Sequence, residues 1–254
     1  MDKLIKVKII RTLLSRGQVS IGGWMQIPSP EIAEIMGNSN LDWVAADLEH
    51  GSIGIDHLPN IFRALELNNT LPFARVTDEL QAVRAMEAGA GGIIISNIES
   101  ADDVEKVYSS INYPPRGKRG VGYNRANCYG MEFNNDLKDY PILVGMIESQ
   151  HAVNNIDQIL NCNKLDAVLI GPYDLSASFK MTGQFNSHFI KEIINQVKDA
   201  CIRKNVAVGI HVIQPDRKEL EDRKEEGYTF IPYSIDGVVL SKHYNITDND
   251  ESLV

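Results

Sequence analysis

An α/β architecture, a (β/α)8 barrel, is what the sequence predicts, and three observations carry it. Short apolar runs alternate with longer helix-spaced segments along the chain, and eight such runs fit into 254 residues, which matches eight strand–helix units. The runs are continuously apolar, as strands covered on both faces of a parallel sheet must be. The rival is a doubly wound open sheet, and its glycine fingerprint is missing after the first run.

The elements follow in order. Met1–Gly17 interleaves Lys3, Lys6, Lys8 and Arg11 with Leu4, Ile5, Ile9, Ile10, Leu13 and Leu14, the pattern of an amphipathic helix rather than a targeting peptide. The predicted strands are Val19–Ile27, Trp43–Asp47, Leu71–Val76, Gly92–Asn97, Ile142–Glu148, Ala167–Gly171, Val206–Val212 and Thr229–Tyr233. Helical spacing marks Pro59–Leu67, Glu79–Ala88, Ala101–Ser110, Ala152–Leu160, Phe189–Arg203 and Pro215–Glu226. Tyr113–Tyr140 is the longest irregular stretch, and long loops on compact domains usually serve function or move. Asn245–Ser252 is a short polar tail expected to fray. With no linker or shift of composition, residues 1–254 are expected to form a single barrel domain with an N-terminal helix.

Hydrophobic residues make up 43% of the chain and charged residues 23%, which excludes a disordered or collagen-like protein. The 25 basic and 34 acidic residues sum to −9, so no electrostatic footprint for nucleic acid or an anionic membrane is expected. No apolar run approaches the roughly 18 residues of a membrane span. Cys128, Cys162 and Cys201 are odd in number and scattered, as reduced thiols in a cytoplasmic protein would be. Small molecules are the expected partners.

A barrel enzyme carries its reacting groups at the C-terminal ends of its strands. Strand 2 runs into Asp47-Leu48-Glu49-His50, strand 3 ends at Arg75, strand 5 at Glu148, strand 6 enters Gly171-Pro172-Tyr173-Asp174, and strand 7 ends near His211. So many ionisable groups at core strand ends need partners, because desolvating them is costly. A salt-bridged rim would supply such partners, and so would a functional site. Glu148 and Asp174, from adjacent strands, suit a hard divalent ion that keeps positions open for water and substrate. Either could instead cap the helix that follows it. Trp24 is either a wall of the substrate pocket or a buried aromatic at the barrel bottom. His211 ends strand 7 at the same mouth, and the loop around Arg119, Arg125 and Tyr129 could reach a carboxylate or sugar hydroxyls. The other histidines, His57, His151, His188 and His243, fit a solvated surface.

Absences narrow the chemistry. No lysine lies in any of the eight runs, which disfavours an imine-forming aldolase. The turns after strands 7 and 8 lack the glycines of a phosphate site. Metal-assisted chemistry on a carboxylate or keto acid survives.

At these residues the sequence resembles the HpcH/HpaI family of divalent-metal-dependent (class II) pyruvate aldolases. The similarity runs from about Gly22 to Leu240, through Gly23-Trp24 with Pro28-Ser-Pro30, Asp47-x-Glu-His50, Ala74-Arg75, Glu87-Ala-Gly89, Tyr113-Pro-Pro-x-Gly-x-Arg-Gly-Val-Gly122, Ile147-Glu148 and Ile170-Gly-Pro-x-Asp-Leu-Ser176. The resemblance implies a (β/α)8 barrel of the phosphoenolpyruvate/pyruvate-domain type. Glu148 and Asp174 would ligate the metal (Mg²⁺ or Mn²⁺, with Co²⁺ a third candidate), and Asp47 and Glu49 would hold metal-bound waters. His50 would be the acid/base residue with Glu87 as its carboxylate partner, and Arg75 would face the enolate oxygen. The amides of Gly171, Pro172, Tyr173 and Asp174 would hold the pyruvate carboxylate, with Trp24 beside the methyl group. Two departures stand out: Glu87 where the family often has aspartate, and Met146 where some members have glutamine.

The implied reaction is reversible cleavage of a 4-hydroxy-2-oxo acid to pyruvate and an aldehyde. Two alternatives are a CoA-thioester lyase or synthase of the same superfamily and a non-catalytic barrel that binds metal and keto acid. The resemblance further implies a homo-oligomer, a trimer or hexamer.

Overall fold

The computed structural model describes residues 2–136 and 140–245; the expected fraying of the C-terminal tail falls outside them beyond Asn245. The elements are α1 (Lys3–Ser15), β1 (Ser20–Met25), α2 (Pro30–Gly37), β2 (Trp43–Asp47), α3 (Leu58–Leu67), β3 (Leu71–Val76), α4 (Glu79–Ala88), β4 (Gly92–Ile95), α5 (Ala101–Ile111), α6 (Phe133–Asp136), β5 (Ile142–Ile147), α7 (Gln150–Asn154), α8 (Ile156–Asn161), β6 (Ala167–Ile170), α9 (Pro172–Ser178), α10 (His188–Arg203), β7 (Ala207–Ile210), α11 (Arg217–Glu225), β8 (Phe230–Ile235) and α12 (Asp236–Tyr244).

All eight strands pair in parallel, in the order β7-β6-β5-β4-β3-β2-β1-β8. The β7–β8 seam closes through the Val212/Tyr233 bridge, with Thr229 N donating to Val208 O at 2.9 Å and Val212 N to Pro232 O at 3.0 Å. The result is the expected (β/α)8 barrel.

Helices start promptly after the strands because polar caps are placed there. Asp78, Ser100, Ser149 and Ser187 each accept the amide three residues on, which satisfies a donor the first turn leaves open. The predicted helix Ala152–Leu160 is instead two helices broken at Asn155, whose φ of −101° and ψ of 7° leave the helical basin. Helices α2, α9 and α12 were not expected from periodicity; the first two are eight and seven residues long, too short to display a clear apolar stripe. The irregular stretch 113–140 holds a 3-10 segment at Arg125–Gly130 and α6.

Two apolar layers result. One lies between strands and helices, and the other fills the barrel. At the bottom of the interior, Trp43 stacks on Phe230 at 4.4 Å and lies 5.0 Å from Phe73. Gly22 makes room for them, since a Cβ there would sit 2.1 Å from the Trp43 ring. Below this plug, Val7, Ile10 and Leu14 of α1 cover the barrel end, and Arg11 Nε ties α1 to Asp166 at 2.7 Å. With the N-terminal end sealed, the C-terminal end is left to carry polar groups.

Candidate active site

Asp47 is the fully buried centre of the mouth. Its Oδ1 accepts from Arg75 Nε at 2.8 Å, Glu49 N at 3.0 Å and His50 N at 3.2 Å. Its Oδ2 accepts from Arg75 Nη2 at 2.6 Å, Gln26 Nε2 at 2.8 Å and Trp24 Nε1 at 3.1 Å. The β2/β3 register, with Asp47 opposite Arg75, makes the bidentate pair possible. Burial alone would push Asp47 up, but the hydrogen-bonded, positively charged Arg75, with Gln26 and the Glu49 amide, holds it at about 2. With three donors on each oxygen, Asp47 has little capacity left for a water. It orients Arg75 and the turn bearing Glu49 and His50, in place of the water-holding role the resemblance implies.

Glu49 lies with Oε2 3.0 Å from Arg75 Nη1, yet this buried oxygen completes no hydrogen bond among the described residues. Arg75 thus directs three N–H groups at carboxylates and keeps two uncommitted. Glu148, just beyond β5, is buried and takes the Asn97 amide on Oε2 at 3.0 Å. Its carboxyl is pushed up to about 7, first by burial and then by the charges of Glu49 and Asp174, against the Asn97 amide and Arg75. Three carboxylates sharing one mouth repel one another, and a cation between them would relieve that. Among the described residues no cluster of three or more His, Cys, Asp or Glu is spaced to hold a metal by itself.

Gly171 explains how Glu148 fits. A Cβ at position 171 would lie 2.5 Å from Glu148 Oε1, so the strand-end glycine leaves the space that carboxylate occupies. Gly171→Ala should therefore displace the carboxylate while the backbone, extended at φ −100°, accepts alanine. The expected result is about 10–100-fold weaker divalent-metal affinity with little change in Tm; isothermal titration with Mn²⁺ and a melting curve check it.

Beside Gly171, the amides divide. Gly171 N donates to Ile147 O at 3.2 Å and Pro172 has no N–H. Only Tyr173 and Asp174, in the first turn of α9, present amides without a partner among the described residues. The expected four-residue carboxylate cradle reduces to these two.

Trp24 is at the mouth, not the bottom. It is buried, donates to Asp47, carries Arg75 5.1 Å from its ring centroid and lies 5.0 Å from the His211 ring. His50 holds its backbone on Asp47 while its imidazole is exposed and has no partner among the described residues. Within this chain Glu87 does not join it. Glu87 sits in the last turn of α4, at the barrel end opposite the strand C-termini, and pairs with the buried Arg119 at 2.8 Å. Arg125 is likewise taken, by Glu66 and by Ala88 O. The two loop arginines expected to reach substrate are thus committed within this chain. Met146 packs inside the barrel. His151, His188 and His243 are exposed as expected; His57 is half-buried, with Nδ1 accepting from Gly54 N at 2.9 Å.

Three contributors escaped the sequence. Gln26 braces Asp47, Asn97 in the left-handed region at φ 54° binds Glu148, and Asp236 accepts the amides of Gln26 and Ile27 at 2.9 and 3.0 Å. Each follows a strand or ends one, so the same strand-end rule could have found them.

Comparison with known proteins agrees with this geometry. The family model for HpcH/HpaI aldolase/citrate lyase matches residues 20–242. The chain is 30% identical to a 5-keto-4-deoxy-D-glucarate aldolase of Enterobacter sp. (strain 638) over 94% of this chain and 95% of that one. It is 30% identical to a hydroxypyruvate/pyruvate aldolase of Roseobacter denitrificans over 89% and 90%. A solved HpcH/HpaI aldolase/citrate lyase family protein from Burkholderia cenocepacia J2315 superposes with a TM-score of 0.86 at 25% identity, covering 92% of this chain and 95% of that one. With a closed parallel barrel and its acidic mouth organised around Arg75, the chain belongs to the HpcH/HpaI aldolase/citrate lyase family.

Proposed function

We propose that the chain catalyses reversible aldol cleavage of a 4-hydroxy-2-oxo acid to pyruvate and an aldehyde, with a divalent metal ion. The observation that carries this is the crowding of Glu148, Glu49 and Asp174 beside Arg75, where burial first and then the Glu49 and Asp174 charges lift Glu148 to about 7. That donor set fits a hard cation: all-oxygen, anionic, and with Glu148 Oε1 and the Asp174 carboxylate uncommitted among the described residues. Glu148 and Asp174 would hold the ion, which when bound supplies Lewis-acid polarisation of the 2-oxo carbonyl.

The chain's own groups do the rest. The Tyr173 and Asp174 amides hold the carboxylate of the keto acid. Arg75, locked by Asp47, aims its two free N–H groups at the keto oxygen, where charge develops as the enolate forms. Trp24 excludes water beside the methyl carbon. His50 takes the C4 hydroxyl proton in cleavage and returns it in synthesis. No helix among the described residues is long and apolar enough to cross a membrane.

Treatment with excess EDTA should abolish cleavage, and Mg²⁺, Mn²⁺ or Co²⁺ should restore it while raising Tm, since a ligand bound only to the folded state stabilises it. Full activity in EDTA would sink the metal role. The homo-oligomer proposed here, a trimer or hexamer, is checked by light scattering; a mass near the 28.3 kDa of one chain counts against it.

A further inference from the structure

His211 is used by none of these steps, and its placement is specific. We propose that His211 is a specificity residue that accepts a hydrogen bond from a hydroxyl on the aldehyde-derived part of the substrate, so that the chain selects hydroxyaldehydes. This rests on the aldolase function proposed above and names the class of its second substrate.

Position comes first. Ala207 on β7 packs inside the barrel and Ile210 outside it. His211 follows Ile210 at the C-terminal end, and strand alternation turns its side chain inward. There its ring lies 5.0 Å from Trp24, whose indole is bonded to Asp47. Trp24 is the residue proposed to lie beside the methyl carbon of the keto acid, the carbon that bonds to the aldehyde, so the histidine ring against it borders the aldehyde's place.

The tautomer follows from the partner. His211 Nε2 is 3.4 Å from the carbonyl of Ser234, a group that only accepts, so Nε2 carries the proton. Nδ1 then bears a lone pair, and it has no partner among the described residues. The charged groups facing the ring are Arg75 and Asp47, and they are bound to each other. Burial, with Arg75 adding to it, depresses the imidazole to about 4, so at neutral pH the ring is an uncharged acceptor. Such an atom attracts a hydroxyl and repels a carboxylate or sulfonate at the same point. A site built to bond a hydroxyl discriminates against the analogue lacking it.

The test is condensation of pyruvate with lactaldehyde and with propionaldehyde, which differ by one hydroxyl. The metal-loaded protein should prefer lactaldehyde in kcat/KM by about 10-fold or more. His211→Phe keeps a ring against Trp24 without a nitrogen and should bring the ratio near one. His211→Leu serves the same purpose if the phenylalanine variant fails to fold. His211→Asn, whose amide oxygen can occupy the place of Nδ1, should restore the preference. An unchanged ratio in the phenylalanine and leucine variants, or no preference in the parent protein, overturns the proposal. Condensation with neither aldehyde also overturns it. Exchange of pyruvate methyl protons in D₂O then separates the cases: exchange retained leaves the aldolase function standing, whereas exchange absent removes both.

Discussion

His50→Ala should lose aldol cleavage by about 10²–10⁴-fold, the usual worth of a positioned acid/base, yet keep exchanging pyruvate methyl protons with D₂O. The two half-reactions ask for different groups. Enolate formation needs a cation at the keto oxygen, the role proposed for Arg75, which is buried and held at the mouth by Asp47 and Glu49. Cleavage also needs a base at the C4 hydroxyl, and the exposed His50 imidazole is free to supply it. Arg75→Lys should damage both half-reactions. A lysine keeps the charge but cannot make the fork that now spans both Asp47 oxygens while presenting further N–H groups to substrate. NMR of pyruvate in D₂O with each variant checks this. If His50→Ala abolishes exchange while Arg75→Lys leaves it intact, the two roles are reversed.

Asp47→Asn should cost about 3–5 kcal/mol, the penalty for breaking a buried ion pair from one side, and lower Tm by roughly 10 °C. An asparagine offers one acceptor oxygen where six donors converge, and its NH₂ would face three of them. The dependence on pH follows. Asp47 lies at about 2, below its ordinary value of 3.8. Its contribution is therefore fully present above pH 4 and lost as pH falls through 2. That contribution is about 2 kcal/mol from the shift. Urea midpoints measured between pH 5 and 2 should fall more steeply for the parent protein than for Asp47→Asn. Parallel curves would show that Asp47 is not the organising carboxylate.

The strands were legible because their burial is written in composition. Trp43–Asp47 and Leu71–Val76 are covered on both faces and end where the apolar runs end. The Gly92–Asn97 run overshoots β4 by two residues, because Ser96 is buried beyond the strand and Asn97 turns into the left-handed region to serve Glu148. The β8 run stops short for the converse reason, since Ser234 and Ile235 extend the strand through an irregular register against Trp24. For α9 the start differs: the sequence expects a helix after Asp174, whereas α9 begins at Pro172 and carries Asp174 inside its first turn, because seven residues hold too little periodicity to fix a boundary.

The site divides in the same way. Which residues stand at the mouth follows from counting to the ends of the runs, so Asp47, Arg75, Glu148 and Gly171 were found from the chain alone. Which of them touch was decided by register and helix direction. Pairing β2 with β3 places Asp47 beside Arg75, while ten residues of α4 carry Glu87 about 15 Å away from the mouth and give it to Arg119. Sequence alone determined the barrel and the residue types at its C-terminal end, since these depend on local burial. Only the tertiary structure decided that Asp47 takes six donors, that Glu148 meets the Asn97 amide and that His211 Nε2 faces the Ser234 carbonyl, because a hydrogen-bond census is a sum over neighbours remote in the chain.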